Sequence, residues 1–166
     1  ADRQFHHEIY TAARSDYTGR STVPILWDKQ LGTIVNNESA DIIRIFNSQF
    51  NALTGNHNDF YPQELRQQID DINAWIYPNI NNGVYKAGFA TTQSAYEEAL
   101  QSLFTALDKV EAILQTQRYL AGPQLTEADW RLWVTLVRFD SVYHTHFKCR
   151  VMRLFLCSHS IHLQLT

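Results

Sequence analysis

The spacing of apolar residues divides the chain into a short mixed segment and a long helical one. Phe5, Ile9, Ala12 and Ala13 predict a short helix ending near Ser15, before the turn Asp16-Tyr17-Thr18-Gly19. Thr22-Val23-Pro24-Ile25-Leu26-Trp27 is rich in β-branched and aromatic residues. With the Gly-ended turn 28–32 and the return Thr33-Ile34-Val35, it predicts a hairpin over 22–35. Pro24 cannot donate to a ladder, so it belongs at a strand edge or start, and it is a candidate for a cis bond. After the polar corner Asn36-Asn37-Glu38-Ser39, the residues Ile42, Ile43, Ile45, Phe46 and Phe50 predict a helix from Glu38 or Ser39. Segment 51–61, with Gly55 and four Asn or Asp residues, reads as a linker.

Everything beyond reads as helical. Leu65, Ile69, Ile72 and Ile76 step by four, three and four, which sets them on one face. Pro78 and Gly83 interrupt that pattern and make 81–85 loop-like. Tyr96, Leu100, Leu103, Phe104, Leu107, Val110 and Leu114 mark a long helix over about 92–117. Thr126 opens the next helix as N-cap, with Asp129 placed to bond back as in a capping box. Leu132, Val134, Leu136, Val137 and Phe139 make that helix apolar on more than one side, which predicts a central position.

Composition narrows the class. Of 166 residues, 45% are apolar, enough for a sizeable core, and only 19% are charged. The net charge of −3 gives no clustered cationic surface for nucleic acid or anionic lipid. Two cysteines, Cys149 and Cys157, make no disulfide framework, which favours a reduced, cytoplasmic setting. No membrane or secretory segment is visible.

Four places could carry chemistry. The corner 36–39 precedes a helix, whose free N–H groups and dipole suit a carboxylate or phosphate. Glu38 could take an ammonium and Ser39 adds a hydroxyl, so an α-amino acid group would suit the pair; plain capping by Asn37 or Ser39 is the ordinary alternative. A cis bond at Val23-Pro24 would turn backbone groups outward toward an extended peptide. His144-x-His146 and His159-x-x-His162 suggest metal, but nothing completes either set at convincing spacing, so solvated or capping roles are commoner. Cys149 reads as a small buried hydrophobe rather than a nucleophile. Tyr85 and Tyr143 could hold or protonate an aromatic oxygen, against packing as the common role.

Together these features resemble the glutathione transferases. The strings 17–28, 33–39, 82–90, 125–129 and 137–143 are more specific: they resemble the glutathionyl-hydroquinone reductases, the xi-class, omega-like branch of that family. The resemblance covers roughly residues 5–149. It implies a mostly α, α+β glutathione transferase fold. Residues 1–56 would be the back half of a thioredoxin-like glutathione-binding domain, and 57–166 an all-helical bundle. It implies glutathione as co-substrate, no metal, a glutathionylated hydroquinone as the other substrate, and a homodimer through the helical domain. Val23, before cis-Pro24, would pair with the cysteinyl part of glutathione. Glu38 and Ser39 would hold the γ-glutamyl end, with Arg20 nearby. Tyr85 and Tyr143 would line the hydroquinone site and act on the leaving phenolate.

Two departures accompany the resemblance. The family's nucleophilic cysteine lies in a Cys-Pro-Trp-Ala type motif that would precede residue 1, and this sequence lacks it. Residues 150–166 do not resemble the family's end. The expectation is a fragment that does not turn over by itself. A non-catalytic glutathione-binding or interaction module on the same scaffold is the alternative.

Overall fold

A computed structural model describes residues 3–150. Cys157, His159, His162 and nearly all of the divergent end lie outside the described residues. The chain divides into two compact units, Ala1–Asp59 and Phe60–Thr166.

In the first unit, helix α1 (His7–Ala13) opens with Glu8, whose Oε2 accepts the Gln4 and Phe5 amides at 2.8 and 2.9 Å. Strands β1 (Leu26–Asp28) and β2 (Thr33–Asn36) form a two-stranded antiparallel sheet. Their turn is tight because Asp28 Oδ1 accepts the amides of Gln30 and Leu31, both at 2.8 Å, while Gly32 takes a positive φ of 65°. The register pairs Leu26 with Asn36 and Trp27 with Ile34, so a bulge at Val35 bends the chain before the corner. Helix α2 (Ser39–Ser48) follows.

Two expectations need correcting here. The strand expected from Thr22 begins only at Leu26. Pro24 has no N–H, and the Thr22 backbone N–H and C=O are both bonded to the Tyr10 hydroxyl, so neither serves a ladder. The start of the expected linker is instead a helical turn, α3 (Asn51–Thr54), closed by Gly55 at φ 64°.

The second unit holds the apolar core. Helices α4 (Arg66–Ile76), α5 (Gly83–Gly88), α6 (Gln93–Leu114) and α7 (Glu127–Leu136) bury Ile69, Ile76, Ile80, Val84, Leu103 and Val110 completely. Full burial of each such aliphatic side chain contributes about 1.5–3 kcal/mol. Pro78 and Gly83 do not leave 81–85 as a loop. A π-helical turn, Tyr77–Asn81, absorbs the proline, and α5 continues from Gly83. Asn81 ties that turn to α7, donating to Arg131 O at 2.8 Å and Thr135 Oγ1 at 2.7 Å.

The capping box at α7 forms as the sequence predicts. Asp129 Oδ2 accepts the Thr126 amide at 2.9 Å, and Oδ1 reaches the Leu120 amide at 2.8 Å. The central position of α7 holds for one side only. Leu132, Leu136 and Phe139 are buried, whereas Val134 and Val137 are about half exposed. Among the described residues no helix is long and apolar enough to cross a membrane.

Candidate functional site

The corner 36–39 is shaped by its asparagines. Asn36 Oδ1 accepts the Glu38 amide at 2.7 Å, and Asn36 Nδ2 donates to Asp41 Oδ2 at 3.2 Å. Asn37 Nδ2 donates to the Tyr10 hydroxyl at 3.3 Å. Capping by Asn37 or Ser39 does not occur. Glu38 itself is the N-cap, in extended backbone, and no side chain closes the helix end. Glu38 and Ser39 are exposed. The start of α2 therefore offers first-turn N–H groups and the positive end of the dipole, with a carboxylate and a hydroxyl beside them.

The Val23-Pro24 bond is cis. Val23 is 77% exposed, and among the described residues its backbone makes no hydrogen bond. Arg20 is exposed, and its carbonyl accepts the Tyr17 hydroxyl at 2.8 Å. This segment and the corner are joined through one residue, because Thr22 and Asn37 both bond the Tyr10 hydroxyl. An amino acid group and an adjoining peptide unit are the chemistry that this pair of arms can recognise.

In the second unit, Tyr85 and Tyr143 bring their hydroxyls to 3.2 Å, with ring centroids 5.7 Å apart at 71°. Tyr143 ends a second π-helical turn, Phe139–Tyr143, and is buried; Tyr85 on α5 is 40% exposed. Burial pushes the Tyr143 phenol up to about 12, and the bond to Tyr85 acts in the same direction. Tyr143 thus stays protonated at neutral pH and can donate a hydrogen bond. Phe147 closes the cluster, 5.3 Å from Tyr85 and 5.5 Å from Tyr143. Gly88 makes room for it: a Cβ there would lie 2.4 Å from Phe147 Cγ.

The other candidates fare differently. Cys149 is fully buried, and burial pushes its thiol up to about 11, which keeps it unreactive. Among the described residues no three His, Cys, Asp or Glu side chains converge as a metal site, and His144 and His146 have no such companions. An open cleft of about 730 Å³ lies between α4 and α6, lined by Asp71, Trp75 and Lys109 among others, and it includes neither tyrosine.

Comparison with known proteins bears on the family and the fold. The chain is 58% identical over 146 residues to the glutathionyl-hydroquinone reductase YqjG of Escherichia coli K12, covering 88% of this chain and 44% of that protein. It is 55% identical over 148 residues to the reductase PcpF of Sphingobium chlorophenolicum, covering 89% and 47%. The glutathione-bound structure of YqjG superposes with a TM-score of 0.88 at 57% identity, over 91% of this chain and 49% of that one. The glutathione transferase Xi of Phanerochaete chrysosporium gives 0.90 at 53% identity, over 95% and 51%. The chain belongs to the xi-class glutathione transferases. Residues 93–156 match the C-terminal domain family of glutathione S-transferases, and the fold is the transferase fold. The chain spans about half the length of the xi-class relatives it matches.

Three residues near these sites escape sequence reasoning. Tyr10 bonds partners 12 and 27 positions away, and no local spacing signals that. Gly88 and Phe147 meet only once α5 and the turn after Tyr143 are folded. The one available hint was a glycine placed at the end of a helical string, which reads equally well as an ordinary C-terminal stop.

Proposed function

We propose that this chain carries the glutathione-binding and hydroquinone-binding residues of a glutathione-dependent oxidoreductase that reduces glutathionyl-hydroquinones. The observation that carries the reading is the uncapped start of α2 joined to the exposed Val23-Pro24 segment, in a chain 58% identical to such a reductase. In this proposal the Val23 backbone pairs with the cysteinyl unit of glutathione beside Pro24. Glu38 takes the γ-glutamyl ammonium, and Ser39 with the first-turn amides takes its carboxylate. Arg20 lies near the same ligand. The division at residues 56–57 into a thioredoxin-like half and a helical domain belongs to the proposal, as do a cytoplasmic setting and a homodimer.

The chemistry would run in two thiol exchanges. A thiolate attacks the glutathione sulfur of the glutathionyl-hydroquinone. A mixed disulfide forms, the carbon–sulfur bond breaks, and the ring takes up a proton to give hydroquinone. A second glutathione thiolate attacks the mixed disulfide, giving oxidised glutathione and restoring the first thiolate. Tyr143, protonated and bonded to Tyr85, suits the donation of a hydrogen bond to the phenolic oxygen as charge develops. Cys149 is buried and its thiol is pushed up, so we assign the nucleophile elsewhere. The same observation favours a second reading, a glutathione-binding module without catalysis.

Turnover of a glutathionyl-hydroquinone, measured on this chain and on a longer product of its gene carrying a Cys-Pro-Trp-Ala type motif, separates the two. Turnover by the longer protein alone, lowered by Tyr143→Phe, supports the reductase. Glutathione binding without turnover in either supports the module. Turnover by the 166-residue chain that is lost in Cys149→Ser would contradict the assignment of the nucleophile.

A further inference from the structure

Resting on the glutathione reading above, we infer that Tyr10 is a positioning residue: its hydroxyl pins the two arms of the glutathione cradle to each other. The hydroxyl donates to Thr22 O at 2.7 Å and accepts from the Thr22 amide at 3.2 Å, with Thr22 Oγ1 at 3.3 Å. It also accepts from Asn37 Nδ2 at 3.3 Å. Thr22 immediately precedes Val23 and Asn37 immediately precedes Glu38. One oxygen therefore fixes the spacing between the residue meant for the cysteinyl unit and the residues meant for the γ-glutamyl end.

Local construction supports a dedicated clamp. Tyr10 is 4% exposed, on an α1 whose other residues are exposed or half-buried. Its phenol uses its one proton and both acceptor positions inside the unit. Tyr17 packs on it, with ring centroids 4.8 Å apart, and holds the Arg20 carbonyl at 2.8 Å. The segment leading to Val23 is thus held at the Arg20 and Thr22 carbonyls by two tyrosines whose tilted rings pack on each other. Gly19 lets this happen: its φ is 150°, and a Cβ there would lie 2.9 Å from the Tyr17 hydroxyl. Ordering both arms before the ligand arrives removes an ordering cost from binding.

Coupling of two arms can be told from general support of the fold by using two ligands. Glutathione engages both arms; cysteinylglycine, which lacks the γ-glutamyl unit, engages only the Val23 arm. Affinities of the 166-residue chain for both are measured calorimetrically for wild type, Tyr10→Phe and Asn37→Ala. Wild type should prefer glutathione strongly. Tyr10→Phe should lower that preference by about tenfold, roughly 1.4 kcal/mol, while keeping its affinity for cysteinylglycine. Asn37→Ala, which leaves the Thr22 bonds intact, should do the same to a lesser degree and covers the case in which Tyr10→Phe fails to fold. Unchanged preference in Asn37→Ala together with unchanged preference or loss of folding in Tyr10→Phe would overturn the inference, and an equal loss for both ligands would reduce Tyr10 to general support. No glutathione binding by wild type would overturn the glutathione reading itself, and the inference with it.

Discussion

The two units of this chain are held together by different means. In the second, Ile69, Ile76, Ile80, Val84, Leu103, Val110 and Phe139 are all fully buried in one continuous core. In the first, the buried apolar residues among those described are Tyr10 and Ile42, while Val35, Phe46 and Leu53 stay in water. What orders the first unit is a set of specific hydrogen bonds: Tyr10 to Thr22 and Asn37, Asp28 to its turn, Asn36 to Glu38. A net hydrogen bond contributes only about 0.5–1.5 kcal/mol. The second unit thus has the larger reserve of stability, and the first is the unit that a ligand can most readily stiffen.

The sharpest way to break this contrast is to cut the core. Phe139→Ala removes a fully buried ring that meets Phe104 edge-on and should cost about 3–5 kcal/mol in urea unfolding followed by helical circular dichroism. A loss under 1 kcal/mol would mean that the core is not what holds the second unit. Asp129→Ala is next. It orphans the Thr126 and Leu120 amides in a buried place and should cost about 2–3 kcal/mol in the same measurement.

How much of this was legible follows the same division. The core helices declare themselves through residues three and four apart, as in Leu65, Ile69, Ile72 and Ile76, because burial of one face is a local, periodic property. The capping box at Thr126 and Asp129 is equally local. The π-helical turns at Tyr77–Asn81 and Phe139–Tyr143 are not, since Pro78 reads as a break unless the Asn81 bonds to α7 are known. Val134 and Val137 show the converse error: an apolar side chain in the sequence need not be buried. At the candidate site, Val23, Pro24, Glu38 and Ser39 were legible as motif residues. Tyr10 was not, because its role lies in bonds that skip over a turn and a hairpin.

Smaller effects refine the picture. Gly88→Ala should displace the Phe147 ring, costing about 1–3 kcal/mol for overpacking, offset by up to about 1 kcal/mol of helix propensity. A changed fluorescence or proton shift of Tyr85, with α5 still helical, would show that the displacement is local. The last effect is absent at neutral pH. The Tyr143 phenol is raised in the folded protein to about 12, so its contribution to stability is complete below about pH 10 and is lost as pH rises through 12. Tyr143→Phe should flatten stability against pH in that window alone. An unchanged slope would place the alkaline loss elsewhere.

Amide hydrogen exchange of this chain with and without glutathione reads out whether the ligand orders the hydrogen-bonded unit. A ligand at one hundred times its dissociation constant adds about 2.7 kcal/mol to the structure that binds it. The expected result is slower exchange in residues 20–23 and 36–42, with helices α4 and α7 unchanged. No slowing in those two segments, or equal slowing in α4 and α7, would contradict the assignment of glutathione to the hydrogen-bonded unit.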